Sequence, residues 1–286
     1  IKKTQGSAFL LNFDENAIKG LLWEGLNEED AMDYGVVGYL ENAAQGKDRS
    51  GTVDVNPNLV KPVELALSNG RDMLTGKRVT SETGRPEEFL SYEEFEKAYF
   101  EQLDQCLEKA LENASEADEV RAKYEPTPYL SSLIEGCAEK GKDVRNGGPV
   151  YNFITVEGVG IATAADSLAA VKKFVYDDKK ISMEELIEAI KNNFAGKENL
   201  RMMLSTKAPK YGNDDDYVDS IARKISRHWT EKVFTHTSPY TGRRFRGGYL
   251  SWNYFIDFAP LTAATPDGRL RGIYLRNAKF PVPRSD

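Results

Sequence analysis

Few side chains in this 286-residue chain are of a type that does chemistry unaided. The two histidines, His228 and His236, are eight residues apart and read as surface or packing residues rather than metal ligands. Of the two cysteines, Cys106 falls on the apolar stripe of a long helix and reads as core. Glu41 directly follows a short apolar run. A carboxylate there is either a general base within hydrogen-bond reach of a substrate or a solvated, salt-bridged side chain. Asp54 closes the polar loop that comes next, where an aspartate also serves a turn. Arg243, Arg244 and Arg246 form a basic cluster that reads as a solvated loop, with capture of an acidic group as the other reading. Known signatures fail: Gly158-x-Gly160 lacks a third glycine, residue 163 being Thr163, and there is no P-loop, H-E-x-x-H or paired C-x-x-C.

The elements that must position these residues can be read from periodicity. Residues 14–33 predict a helix with Ile18, Leu21, Leu22 and Leu26 on one face. Val36 to Leu40 predicts a buried strand, and Asn42 to Ser50 a polar, Gly-bearing loop. Pro62 fits the first turn of a helix carrying Val63, Leu65, Ala66 and Leu67. Phe95, Tyr99, Leu103, Cys106, Leu107, Ala110 and Ala114 mark a long amphipathic helix, with 128–141 helical after it. Val150 to Ile154 predicts a strand and Ala162 to Val175 a helix. Ser182 to Glu185 fits a capping box, and Asp214 to Asp216 suit the start of a helix from Val218 to Trp229. Residues 249–262 predict strand and loop. Short strands alternating with helices indicate α/β architecture. No domain boundary is evident, so the expectation is one domain over 1–286.

Composition narrows the class. The net charge of −7 argues against a nucleic-acid backbone as partner. No apolar run nears the roughly 18 residues a membrane span needs, so no membrane partner is expected. Two cysteines are too few for a disulfide framework, which makes a reducing cytoplasm the default. The start, Ile1-Lys2-Lys3-Thr4, shows no signal-peptide pattern, and its lack of Met suggests a fragment.

Four stretches, in one order, resemble the glycyl-radical enzymes, the superfamily of pyruvate formate-lyase and glycerol dehydratase. Asp33-Tyr34-Gly35-Val36-Val37-Gly38-Tyr39-Leu40-Glu41 resembles that family's cysteine loop, D-Y-x-x-x-G-C-x-E. Leu59 to Leu67, running into Asn69-Gly70-Arg71-Asp72, resembles the helix after it. Cys137 to Asp143, Gly147 to Phe153 and Gly158 to Ala162 form the third stretch. Lys210 to Val218, with Ala264-Thr265-Pro266-Asp267-Gly268-Arg269 later, forms the fourth. Two adjacent cysteines, as in pyruvate formate-lyase, are absent at Tyr39-Leu40, so the resemblance leans to the dehydratase and decarboxylase branch.

The resemblance implies a fold, a chemistry and partners. The fold would be part of a ten-stranded α/β barrel, with the cysteine-loop region at about 33–54. The chemistry would be radical cleavage of a C–O, C–C or C–N bond in a small organic substrate. It depends on a glycyl radical installed by a separate radical-SAM iron-sulfur activase, with no cofactor bound by the chain itself. A homodimer or a complementing chain is the implied assembly. Tyr39 stands at the position of the hydrogen-abstracting cysteine, and a phenoxyl radical strips an aliphatic C–H far less readily than a thiyl radical. Glu41 matches the carboxylate two residues on that handles the proton. Asp54 lies about one residue from the family's substrate-binding acid. Tyr151, Asn152 and Tyr249 match strand positions that either face substrate or are satisfied in the core. The glycine loop, usually near R-V-x-G-Y, does not occur here. With Tyr39, that absence implies an inactive chain, or a pseudoenzyme acting as scaffold or subunit.

Overall fold

The computed structural model describes residues 12–37, 41–49, 53–249 and 253–276. Helices dominate. In chain order they are α1 (Asp14–Glu24), α2 (Glu28–Met32), α3 (Lys61–Leu67), α4 (Tyr92–Tyr124), α5 (Pro128–Ser131) and α6 (Cys137–Lys140). Then come α7 (Ile161–Val171), α8 (Met183–Lys191), α9 (Glu198–Lys207), α10 (Asp216–Phe234) and α11 (Tyr254–Asp257). The described strands are β1 (Tyr34–Val37), β2 (Glu41–Ala44), β3 (Phe153–Glu157) and β4 (Arg244–Gly248).

The chain forms two compact units. One comprises Ile1–Asp54, Asn113–Thr155 and His236–Arg246; the other comprises Val55–Glu112, Val156–Thr235 and Gly247–Asp286. In the first unit the expected helix over 14–33 is two helices. Gly25 takes the left-handed conformation at φ 98° and ends α1; the Asn27 side chain then accepts the Asp30 N–H at 2.8 Å and starts α2. β1 and β2 pair antiparallel with Val37 opposite Glu41, so residues 42–44 are strand rather than the expected loop. Burial of Ala43 and Ala44 favours that pairing. Leu21, Leu26, Ala31, Ala44 and Phe153 make the core, with Ile18, Tyr34 and Tyr151 against it. The expected helix over 128–141 is reduced to α5 and α6. Gly136 turns left-handed between them, and the Asp143 carboxylate takes the Thr127 N–H at 2.7 Å and the Ser131 hydroxyl at 2.8 Å.

The second unit is built on α7, an apolar helix buried over its whole length, as expected of a helix hydrophobic all round. It packs on α10 and α3. The helix expected over 162–175 changes to a π turn at Lys172–Asp177. Ser182 caps α8 by accepting the Glu185 N–H at 3.1 Å, and Asp215 caps α10 by accepting the Tyr217 N–H at 3.1 Å. Among the described residues of 249–262, Tyr254–Asp257 form α11.

β3 and β4 form a two-stranded sheet. The segments 47–49 and 53–59 run parallel to β3 and its flanks. In the first unit, the Tyr151 N–H donates to the Lys47 carbonyl (2.9 Å) and the Asp54 N–H to the Thr155 carbonyl (3.1 Å). In the second, the Glu157 N–H donates to the Val55 carbonyl (2.8 Å) and the Val159 N–H to the Pro57 carbonyl (3.0 Å). The architecture is therefore α/β. Part of a ten-stranded barrel was expected; among the described residues the strands form two two-stranded sheets, and no sheet closes.

Candidate active site

The first unit gathers an unusual density of buried charge around the segment that succeeds β2. Arg243, fully buried, is its best-connected member. The guanidinium donates to the Asp118 carboxylate, to the Phe153 carbonyl and, through Nε, to the Asn152 amide oxygen at 2.8 Å. The second oxygen of Asp118 accepts the Thr241 hydroxyl at 2.5 Å. α4 supplies Asp118, and one turn on, at i+3 on the same face, Arg121. The Asp54 carboxylate is nearly buried. One oxygen accepts the Thr155 N–H at 3.1 Å; the other lies 3.5 Å from both Arg49 Nη2 and Arg121 Nη1.

A second group sits beside Phe153. Arg246 Nη1 lies 3.3 Å from Glu24 Oε2 and 3.4 Å from Asp48 Oδ2. Burial pushes both carboxyls above their usual range, and the Arg246 charge only partly offsets it. The Arg244 and Arg246 guanidiniums stand 5.3 and 5.0 Å from the Phe153 ring centre, within cation–π range. Arg244 also donates to the Glu24 carbonyl. The sequence reading of Arg243 to Arg246 as a solvated loop is thus overturned for Arg243 and Arg246. Arg243, just before β4, and Arg246, on β4, turn inward onto acids supplied from elsewhere in the unit.

The sequence-derived candidates distribute unevenly. Tyr39 lies outside the described residues. Glu41 opens β2, partly buried, across from Val37. Asp54 and Asn152 belong to the arginine network. Tyr151 donates its hydroxyl to Asp30 at 2.7 Å and accepts the Asn27 N–H at 3.2 Å. Hydrogen bonds from Lys47, at 2.5 Å, and from Tyr151 hold the Asp30 carboxyl below its usual range. Tyr249 belongs to the other unit, where its hydroxyl accepts the Trp229 indole N–H at 2.7 Å. Cys106 is partly buried, and burial pushes its thiol up to about 11; Cys137 is buried and its thiol is also raised, again chiefly by burial. Among the described residues no group of three or more His, Cys, Asp or Glu is placed to hold a metal ion. Sequence reasoning missed Arg49, Asp118 and Arg121. The signal available for the last two was the continuation of the α4 period past Ala114, which puts both on one face.

The arrangement holds fixed guanidiniums and carboxylates out of water, where they orient polar groups strongly. A sequence model of the pyruvate formate lyase-like family matches residues 2–256. The chain belongs to that family of glycyl-radical enzymes. It is 37% identical to the trans-4-hydroxy-L-proline dehydratase of Clostridioides difficile over 90% of its own length and 32% of the relative's. A crystal structure of hydroxyproline dehydratase from that organism, with substrate bound, superposes with a TM-score of 0.88 at 36% identity, covering 92% of this chain and 33% of that one. The B12-independent glycerol dehydratase of Clostridium butyricum, bound to glycerol, gives 0.86 at 37% identity, covering 92% and 33%. The chain thus spans about a third of the length of the family members it matches. No described helix is long and apolar enough to cross a membrane.

Proposed function

We propose that this chain is the cysteine-loop part of a glycyl-radical lyase of the dehydratase and decarboxylase branch, and that Tyr39 leaves it without a hydrogen-abstracting thiol. The lyase cleaves a C–O, C–C or C–N bond of a small organic substrate. The observation that carries this reading is the family match, which runs through the whole of the segment from Tyr34 to Asp54. The dehydratase names of the similar proteins support the branch.

In this reading Glu41 is the proton-handling carboxylate, and Asp54 is held by Thr155, Arg49 and Arg121 at the far end of the same segment. Asn152 is fixed by Arg243 and orients the strand behind them. Tyr151 and Tyr249 are substrate-side candidates through their rings, since both hydroxyls are engaged. The family's stored radical supplies one-electron chemistry, and a radical-SAM activase installs it. A phenol at position 39 does not fit the thiol's part in that relay. The partners are a small organic substrate, the activase, and a second copy or a complementing chain; the setting is an anaerobic cytoplasm.

Tyr39 favours one rival: a catalytically dead family member acting as scaffold or subunit. Low-temperature EPR and product analysis on an intact protein carrying this chain, treated with a radical-SAM activase, separate the two. The proposal expects a glycyl radical in both forms and turnover only after Tyr39→Cys. A radical with no conversion of any family substrate after Tyr39→Cys leaves the scaffold reading standing. Turnover by the Tyr39 form itself would refute the lost-thiol account.

A further inference from the structure

The arginines of the first unit are not equally matched. Arg243 meets one carboxylate, one carbonyl and one amide. Arg246 lies between two carboxylates. Arg49 and Arg121 share a single carboxylate oxygen, Asp54 Oδ1, each at 3.5 Å, which is the outer limit of a charge-assisted hydrogen bond. The other Asp54 oxygen is already spent on the Thr155 N–H. Two guanidiniums therefore face one carboxylate, a local excess of positive charge. Arg49 is 12% exposed, and its Nη1 is buried with no acceptor in reach among the described residues. A buried donor without an acceptor forfeits its hydration and regains nothing. Burial, and next the nearby Arg243 charge, lower the Arg49 pKa, and the Asp54 and Asp118 carboxylates only partly offset them. Arg121 is 35% exposed, so the pair opens to solvent on one side.

We infer that Arg49 and Arg121 form an oxyanion subsite beside Asp54 that takes the carboxylate or sulfonate group of a small molecule. Guanidinium forks match such groups two oxygens at a time. An incoming anion would give Arg49 Nη1 its missing acceptor and balance the excess charge, while Asp54 keeps the two arginines apart. That the anion belongs to a substrate rests on the lyase reading above; that the site binds an anion does not. The substrate class is then an anionic hydroxy or amino compound rather than a neutral polyol.

The test is a titration of the chain with sodium acetate and sodium methanesulfonate against chloride at constant ionic strength. Nitrogen NMR of the arginine side chains is the readout. Saturable shifts are expected at Arg49 and Arg121, with Arg243 unmoved because it is already fully engaged. The melting temperature should rise with ligand in step with occupancy. Arg121→Gln, at a solvent-side position that spares the core, should weaken binding about tenfold or more. Arg49→Lys, which keeps the charge and loses the fork, should weaken it too. Shifts that grow linearly without saturation, or that appear equally at all arginines, would mean screening and overturn the subsite. So would unaltered binding in Arg121→Gln. Saturable binding by a protein that turns over nothing after Tyr39→Cys supports the subsite while removing the lyase reading. Turnover of neutral substrates only, with no anion binding, removes the subsite and keeps the lyase.

Discussion

Both units bury charge, but in different surroundings. The first holds arginines and acids around Phe153, whereas the second encloses α7 and Trp229 in apolar side chains. Asp118 and Asp166 register the difference. Each is about 1% exposed. Asp118 has a guanidinium in direct contact and a hydroxyl on its other oxygen. Asp166 accepts the Tyr211 N–H at 2.8 Å, but its nearest guanidinium, on Arg276, is 3.8 Å away. Burial outweighs the nearby Lys210 charge, the Asp267 carboxylate adds to it, and the Asp166 carboxyl rises from 3.8 to about 7.

The largest way to break this contrast is Arg243→Ala. It strands Asp118 in the interior and should cost about 3–5 kcal/mol in urea unfolding of the first unit. The pair change Arg243→Met with Asp118→Leu should recover most of that. If Arg243→Ala were as stable as the parent, the network would be incidental to the unit.

Next is pH. A carboxyl raised to about 7 keeps its proton in the folded chain where the unfolded chain, at 3.8, has lost it. Stability is unaffected by Asp166 below about pH 4, falls as pH rises, and bears its full cost above about pH 7, roughly 4 kcal/mol in all. Comparing unfolding at pH 5 and pH 7.5 in the parent and in Asp166→Asn isolates the effect. The variant's stability should fall less across that window. Parallel slopes would sink the assignment.

The smallest effect probes the apolar side of the contrast. A Cβ on Gly158 would sit 2.8 Å from the Trp229 ring and 3.1 Å from Leu59. Gly158→Ala should cost about 1–3 kcal/mol by overpacking, read as a lower melting temperature for the second unit.

Local signals were the legible part of the fold. The Ser182 cap, the acidic start of α10 and the long stripe of α4 all arise from residues a turn apart, and the structure has them where the sequence puts them. Breaks were harder. Gly25 ends α1 although the apolar period continues to Leu26, and only its left-handed turn decides. β2 was hidden because a four-residue strand paired to a neighbour across three residues carries too little period to read. Of the site, Glu41, Asp54, Tyr151, Asn152 and Tyr249 came from resemblance and still await an experiment. Of the arginine network, the cluster at Arg243, Arg244 and Arg246 was legible, but not its acidic partners. Its members are 125 residues apart in the case of Arg243 and Asp118, and a charged residue in isolation reads as surface.

Each unit is stitched from three separate stretches of chain, so no single cut parts them. Asp118 leaves the ribosome long before Arg243 does, and until then the first unit has a carboxylate with nowhere dry to go. Neither unit can close until residues beyond about 235 are made. Long loops must be gathered before their contacts repay them, which makes such a topology slow to fold and late to commit. Synthesis order, as much as the finished contacts, sets how long this chain stays unfolded.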